Sequence, residues 1–175
     1  MAIAKVNVDP LKEVRMGLVG CGFMGLVCLQ LAKQMGAGSI LALDPLPYRR
    51  EMALQLGADA AFDPTATDVG ERAGWREFDL VIEAAGAQSA LDLCGDLVGE
   101  HGRLVLVGYH QSNGGYRKVN MKQWNYKAID VVNGHVRRLD EKLEAMRQGV
   151  ELMRRGALVT APLTMTYDLA EVVQA

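Results

Sequence analysis

The chain has 175 residues, half of them apolar and 23% charged, with a net charge of −2. That length suits one sizeable domain, burying roughly 70% of its unfolded surface, and leaves too little for a second of full size. The composition excludes a disordered segment. The lack of a basic tract argues against nucleic acid as the main ligand, and no apolar run approaches the ~18 residues of a membrane span.

Along the chain, residues 1–13 read as a lead-in. They have no long apolar stretch of the kind a secretory signal needs, so a cytoplasmic protein is expected. Residues 14–19 predict a first strand. Residues 22–35 carry Leu26, Val27, Leu29, Leu31, Ala32 and Met35 at three-to-four spacing, a helix with a broad apolar face that stops at Gly36–Gly38. A second strand is expected over 40–43, a helix over 48–56 and a brief third strand over 58–62, closed by Pro64. The polar stretch 65–77 reads as a short weak helix. Residues 78–84 are nearly all apolar, as a strand covered on both faces requires. A helix follows over 88–97, a fifth strand over 103–107 and a loop over 111–115. A sixth strand is expected over 128–132 and a long helix over 140–155. Segments 159–163 and 168–174 finish the chain inside an apparently helical stretch, which suggests truncation at the C-terminus.

Strands alternating with helices imply a parallel sheet with helices on both faces. Right-handed crossovers and two mononucleotide-binding halves then give an α/β, three-layer, doubly wound Rossmann fold. Its six strands run in the order 3-2-1-4-5-6, across residues 14–175.

Chemistry concentrates at Gly20-Cys21-Gly22-Phe23-Met24-Gly25, between the first strand and first helix, and at Asp44, which closes the second strand. Strand, glycine turn, helix, strand and acid is the dinucleotide-binding pattern. Gly20 permits a tight turn, Gly22 lets a pyrophosphate lie against the backbone, and Gly25 lets the helix approach the sheet. The amides that open the helix, around Phe23 and Met24, face the phosphates. Asp44 would accept both adenosine ribose hydroxyls and repel a 2′-phosphate, which favours NAD over NADP. Arg49 and Arg50 pull the other way, since a nearby arginine can pair with that phosphate. S-adenosylmethionine or FAD on the same geometry remains open, as does a turn with no ligand.

Ala84-Ala85-Gly86 and Val107-Gly108-Tyr109 end the fourth and fifth strands at the carboxyl edge of the sheet, where small residues would admit the nicotinamide half. Glu83 sits inside an apolar strand, either touching the cofactor edge or pairing locally. Tyr109, His110 and His135 are candidates for the substrate side, or peripheral. Cys21, Cys28 and Cys94 lack a close pair and read as buried free thiols. The three histidines have no metal-ligand spacing, so neither a metal site nor a catalytic residue is assigned.

The stretches GLVGCGFMGLVCLQLAKQMGA, ILALDPLPYRREMALQLGAD, FDLVIEAAG and HGRLVLVGY resemble the coenzyme-binding domain of medium-chain dehydrogenases/reductases, the alcohol, sorbitol and threonine dehydrogenase superfamily. The resemblance covers nearly all of the chain from about residue 14. It implies pyrophosphate contacts at Gly20, Gly22 and Gly25, a ribose contact at Asp44 with Arg49 beside it, and a nicotinamide side along Ala84–Gly86 and Val107–Tyr109. It also implies a homodimer through the sixth strand. The family's GroES-like barrel, which carries the catalytic zinc or substrate pocket, is absent from these residues. The expected function is therefore the NAD(H)-binding domain of an alcohol- or polyol-dehydrogenase-like oxidoreductase, inactive alone. The alternatives are a stand-alone dinucleotide-sensing module and an S-adenosylmethionine-dependent enzyme.

Overall fold

A computed structural model describes residues 13–66 and 77–171. Six parallel strands form one sheet in the order β3-β2-β1-β4-β5-β6. They are β1 (Arg15–Val19), β2 (Ser39–Leu43), β3 (Ala60–Phe62), β4 (Phe78–Glu83), β5 (Val98–Leu106) and β6 (Asp130–Asn133). The predicted α/β architecture and strand order are those observed. The helices are α1 (Phe23–Gln34), α2 (Pro47–Gln55), α3 (Gln88–Leu97), α4 (Met121–Lys127) and α5 (Leu139–Arg154).

Side chains alternate across the central strands and split the core in two. Met16, Leu18, Ile40, Leu80 and Ile82 pack with Leu26, Cys28, Leu29 and Ala32 of α1. Val19, Leu41, Leu43, Val81 and Leu104 pack with Ala90, Leu91, Cys94 and Leu97 of α3. Leu18, Leu29, Ile82 and Leu104 are fully buried, each contributing roughly 1.5–3 kcal/mol over an exposed position. This double cover explains why β1, β2 and β4 read as continuous apolar runs.

The outer elements depart from the sequence reading. β5 begins at Val98 rather than at residue 103, because an irregularity carries the pairing from Phe78↔Val98 to Leu80↔Arg103. His101 sits there at φ +56°. Helix α4 was not expected. Asn120 caps it by accepting a hydrogen bond from Gln123 N (3.2 Å). Ala128, expected to open β6, instead ends α4 in a left-handed conformation, so β6 starts two residues later. The weak helix expected over 65–77 falls mostly outside the described residues.

After β6 the chain leaves the sheet. No residue of α5 is buried, and Leu139, Leu143, Met146, Val150 and Met153 form an exposed apolar stripe along it. The chain then returns to α1. There the Gln30 side chain accepts from Val159 N (2.7 Å) and donates to Val159 O (3.0 Å), pinning this segment. A single 3₁₀ turn at Ala161–Leu163 stands within the expected segment 159–163, and another at Leu169–Glu171 within 168–174, whose last residues lie outside those described.

Candidate dinucleotide site

The chain leaves β1 at Gly20, whose φ of +98° is a conformation that side chains rarely adopt. Its N–H donates to Leu43 O (2.8 Å), tying the turn to the end of β2. Gly25 lies in the first turn of α1, where a Cβ would collide with the Gly20 carbonyl oxygen. These two glycines therefore serve the packing of helix on sheet. Gly22 differs. Its φ of −75° is ordinary, and a Cβ there would meet nothing within 4 Å. The missing side chain leaves open space in front of the helix.

The bond from Leu26 N to Gly22 O (2.9 Å) opens the helical ladder. The amides of Phe23, Met24 and Gly25 precede it and are free of that ladder. No acidic side chain occupies the first turn, so the positive end of the helix dipole is uncompensated by its own helix.

Asp44 closes β2 with only 2% of its surface exposed. Its Oδ2 accepts from Cys21 N (2.9 Å) and its Oδ1 from Leu46 N (2.9 Å). The acid thus braces the glycine turn before any ligand arrives. A carboxylate has about four acceptor positions, so two remain. The two arginines after it have separate tasks. Arg50 donates to the carbonyls of Asp44 and Pro45 (2.8 Å each) and lies 3.6 Å from Asp63, holding the loop. Arg49 lies 3.6 Å from Asp44 Oδ2 with its side chain 40% exposed.

A cleft of about 400 Å³ opens over these groups. Of the residues singled out from sequence, it is lined by Gly20, Gly22, Asp44, Arg49, Ala84 and Ala85. Pro64 and Thr65 also line it, and the sequence reading gave neither a place in the site. Phe23, about half exposed, faces an adjoining hollow of about 460 Å³ that shares Gly22 and Arg49 with the cleft. Met24 is also about half exposed, and Gly25 is buried behind the turn. Gly86, Val107, Gly108 and Tyr109 are not in the cleft wall. They form the neighbouring ends of β4 and β5, where Val107 N and Gly108 N donate to Glu83 O (2.8 and 2.9 Å).

Glu83 pairs locally, which resolves the choice left by the sequence. It is fully buried, and its Oε1 accepts from Ala85 N (3.0 Å) and Gly86 N (2.7 Å). Its Oε2 lies 3.0 Å from His110 Nε2. Tyr109 reaches outward, 64% exposed, with its ring 5.8 Å from that of His135. Arg117, absent from the sequence reading, binds the loop beyond β5. It donates to His110 Nδ1, Gly86 O and Ser112 O at 3.0, 3.0 and 2.7 Å.

The three thiols are buried and unpaired. Burial, and then the Asp44 charge, push Cys21 up to about 12, and burial pushes Cys28 to about 11. Cys94 is raised well above the ordinary thiol range by burial and then by Glu83. Protonated at neutral pH, none is a nucleophile. Among the described residues, no group of three or more His, Cys, Asp or Glu side chains is placed to hold a metal ion.

The model of the family described as zinc-binding dehydrogenase matches residues 24–155. The chain belongs to that family. It corresponds to the coenzyme-binding domain of the zinc-binding dehydrogenases. One relative, a 5-exo-hydroxycamphor dehydrogenase of Pseudomonas putida, is 30% identical over 163 residues, which are 89% of this chain and 45% of the relative. The fold recurs in acetophenone reductase from Geotrichum candidum, solved in complex with NAD (TM-score 0.73, 22% identity, 90% of this chain and 42% of that one). It recurs also in a zinc-binding dehydrogenase from Sinorhizobium meliloti bound to NADP (TM-score 0.76, 20% identity, 96% and 53%). The chain thus spans half or less of the relatives' length, apart from that last structure, of which it covers just over half.

Proposed function

We propose that this chain is the NAD(H)-holding part of a zinc-binding dehydrogenase. The observation that carries the reading is the open space at Gly22, before three helix-start amides, with Asp44 and Arg49 lining the same cleft. A diphosphate fits that cradle because the amides donate and the dipole attracts. The remaining lone pairs of Asp44 suit ribose hydroxyls, and its charge disfavours a 2′-phosphate. NAD is therefore preferred to NADP, with Arg49 the group that would moderate the preference.

Bound nicotinamide would supply hydride transfer. This chain's own residues bind and orient the cofactor. Among the described residues, no group of three or more His, Cys, Asp or Glu side chains is placed to hold zinc. The isolated chain is therefore expected to bind NADH without appreciable alcohol oxidation. The whole protein would act on an alcohol or polyol, with the barrel supplying those groups.

Two further expectations belong to this reading. The free edge of β6 is mostly exposed, and isologous pairing of two such edges would make a homodimer with one continuous sheet. Three unpaired thiols suit the reducing cytoplasm.

The deciding experiment is calorimetric titration of NADH and NADPH into the wild-type chain and a Gly22→Val variant. That valine meets no protein atom near its Cβ and needs no unusual backbone, so circular dichroism should match wild type. Wild type should bind NADH more tightly than NADPH, and the variant should bind neither. Equal binding by both proteins, or none by wild type, would refute the reading.

A further inference from the structure

The end of β4 and the end of β5 are joined by a chain of polar groups that is buried at Glu83 and partly buried at His110 and Arg117. Glu83 is its centre. Its backbone carbonyl accepts from Val107 N and Gly108 N, while Oε1 of its side chain accepts from Ala85 N and Gly86 N. One residue thus ties together the two strand ends that the sequence assigns to the nicotinamide half. Gly108 is glycine for the same reason. A Cβ there would collide with Glu83 Oε2 and with Gly86 N, so its smallness makes room for the carboxylate rather than for a ligand.

Beyond the carboxylate stands His110. Its Nε2 is 3.0 Å from Glu83 Oε2 but outside hydrogen-bond geometry, and among the described residues neither atom has a hydrogen-bond partner. On its far side Arg117 Nε donates to His110 Nδ1 at 3.0 Å. A guanidinium keeps its protons and can only donate. Nδ1 must then present its lone pair, so a neutral His110 carries its proton on Nε2. That N–H lies beside the Glu83 side chain, with Nε2 and Oε2 3.0 Å apart and no hydrogen bond formed between them. The position of one proton is settled by an arginine two contacts away. Arg117 also donates to Gly86 O (3.0 Å), Ser112 O (2.7 Å), Ser112 Oγ (2.9 Å) and Tyr116 O (2.8 Å). No carboxylate pairs with it directly among the described residues; Glu83 lies on the far side of His110. The remaining neighbour of the carboxylate is Cys94 of α3, whose thiol stays protonated.

We propose that Arg117 is a positioning residue for the nicotinamide half of the cofactor, fixing His110 as the Nε2–H tautomer and thereby the Glu83-braced ends of β4 and β5. Ala84 and Ala85 of that braced turn line the cleft, whereas Arg117 does not, so it acts without touching the ligand. The inference rests on the NAD(H) reading above and adds a determinant remote from the glycine turn.

The test compares wild type with Arg117→Met and Arg117→Lys, using side-chain ¹⁵N NMR of His110 and calorimetry with NADH and with ADP-ribose. ADP-ribose contains the adenosine and diphosphate but no nicotinamide. Wild type should show one tautomer with the proton on Nε2. In R117M that single-tautomer signature should disappear, and NADH should bind roughly tenfold more weakly, the scale of one charge-assisted hydrogen bond, with ADP-ribose unchanged. R117K, keeping the charge but not the fork, should fall between and serves if R117M does not fold. NADH affinity unchanged in the variants, equal weakening of both ligands, or a wild-type proton on Nδ1 would overturn the proposal. A wild type that binds neither ligand would defeat the dinucleotide reading and this role with it, whereas normal wild-type binding with unaffected variants would defeat this role alone.

Discussion

Two buried carboxylates sit at the carboxyl edge of the same sheet, one at the end of β2 and one at the end of β4. Asp44 and Glu83 each accept two backbone N–H groups from the turn that follows or faces them. They differ in what lies beyond. Asp44 lines the cleft, with Arg49 3.6 Å from its Oδ2. Glu83 turns inward to His110, and its Oε2 is enclosed by protein without a hydrogen-bond partner among the described residues. The same device shapes a loop in both places, but only Asp44 lines the cleft. Burial of an acid at a strand end is therefore poor evidence of ligand contact until the direction of its free oxygen is known.

The comparison is sharpened by replacing each acid with its isosteric amide. Glu83→Gln should have the largest effect. Its NH₂ group would face the Nε2–H of His110, and switching the tautomer would set Nδ1–H against Arg117. A loss of about 3 kcal/mol is expected from chemical denaturation, the scale of leaving buried polar groups unpaired. A loss under about 1 kcal/mol would mean that the polar chain is not formed.

Gly25→Ala should follow, at about 1–3 kcal/mol, because α1 must move off the Gly20 carbonyl oxygen. NADH binding should fall with it, since the same movement displaces the free amides. Full binding in this variant would show that helix placement is not critical.

Asp44→Asn should cost less stability, about 1–2 kcal/mol, as one of two amides loses its acceptor while the cleft side can rehydrate. NADH affinity should drop roughly tenfold, and the preference over NADPH should shrink. Unchanged selectivity would remove the charge of Asp44 from the account.

The smallest effect at neutral pH concerns the thiols. Raised folded-state values mean that the cysteines contribute stability fully below about pH 9, their ordinary range, and lose it as pH rises toward about 12 for Cys21 and 11 for Cys28. Denaturation midpoints should be flat from pH 7 to 8.5 and decline above pH 9. A thiol reagent at pH 8 should label the cysteines only on unfolding, and rapid labelling of the native chain would contradict their burial.

The sheet was legible in the sequence because β1, β2 and β4 are apolar on both faces, in short runs that end at glycine, proline or an acid. A half-exposed helix or an edge strand would have interleaved polar residues. The glycine turn and Asp44 were legible for a related reason: their spacing is local and their geometry demanding. What escaped notice depends on distant partners. Arg117 bonds to Gly86, 31 residues away, and nothing in its neighbourhood marks it as different from other surface arginines. Glu83 stood out as a charge in an apolar strand, but its partner could not be chosen. The start of β5 was hidden because Gly99 and Gly102 are poor strand formers, and α4 by its brevity, although Asn120 caps it. The ribose role of Asp44 was read without the brace that its side chain also provides.

The three glycines of the turn are not equally exposed to natural drift. A substitution at position 20 or 25 harms folding first, so a cell would remove it as damaged protein. A substitution at position 22 leaves the scaffold whole and occludes only the ligand's place. Copies of this gene released from selection for cofactor use should therefore accumulate side chains at 22 while retaining glycine at 20 and 25. That ordering can be checked in any set of diverging paralogues.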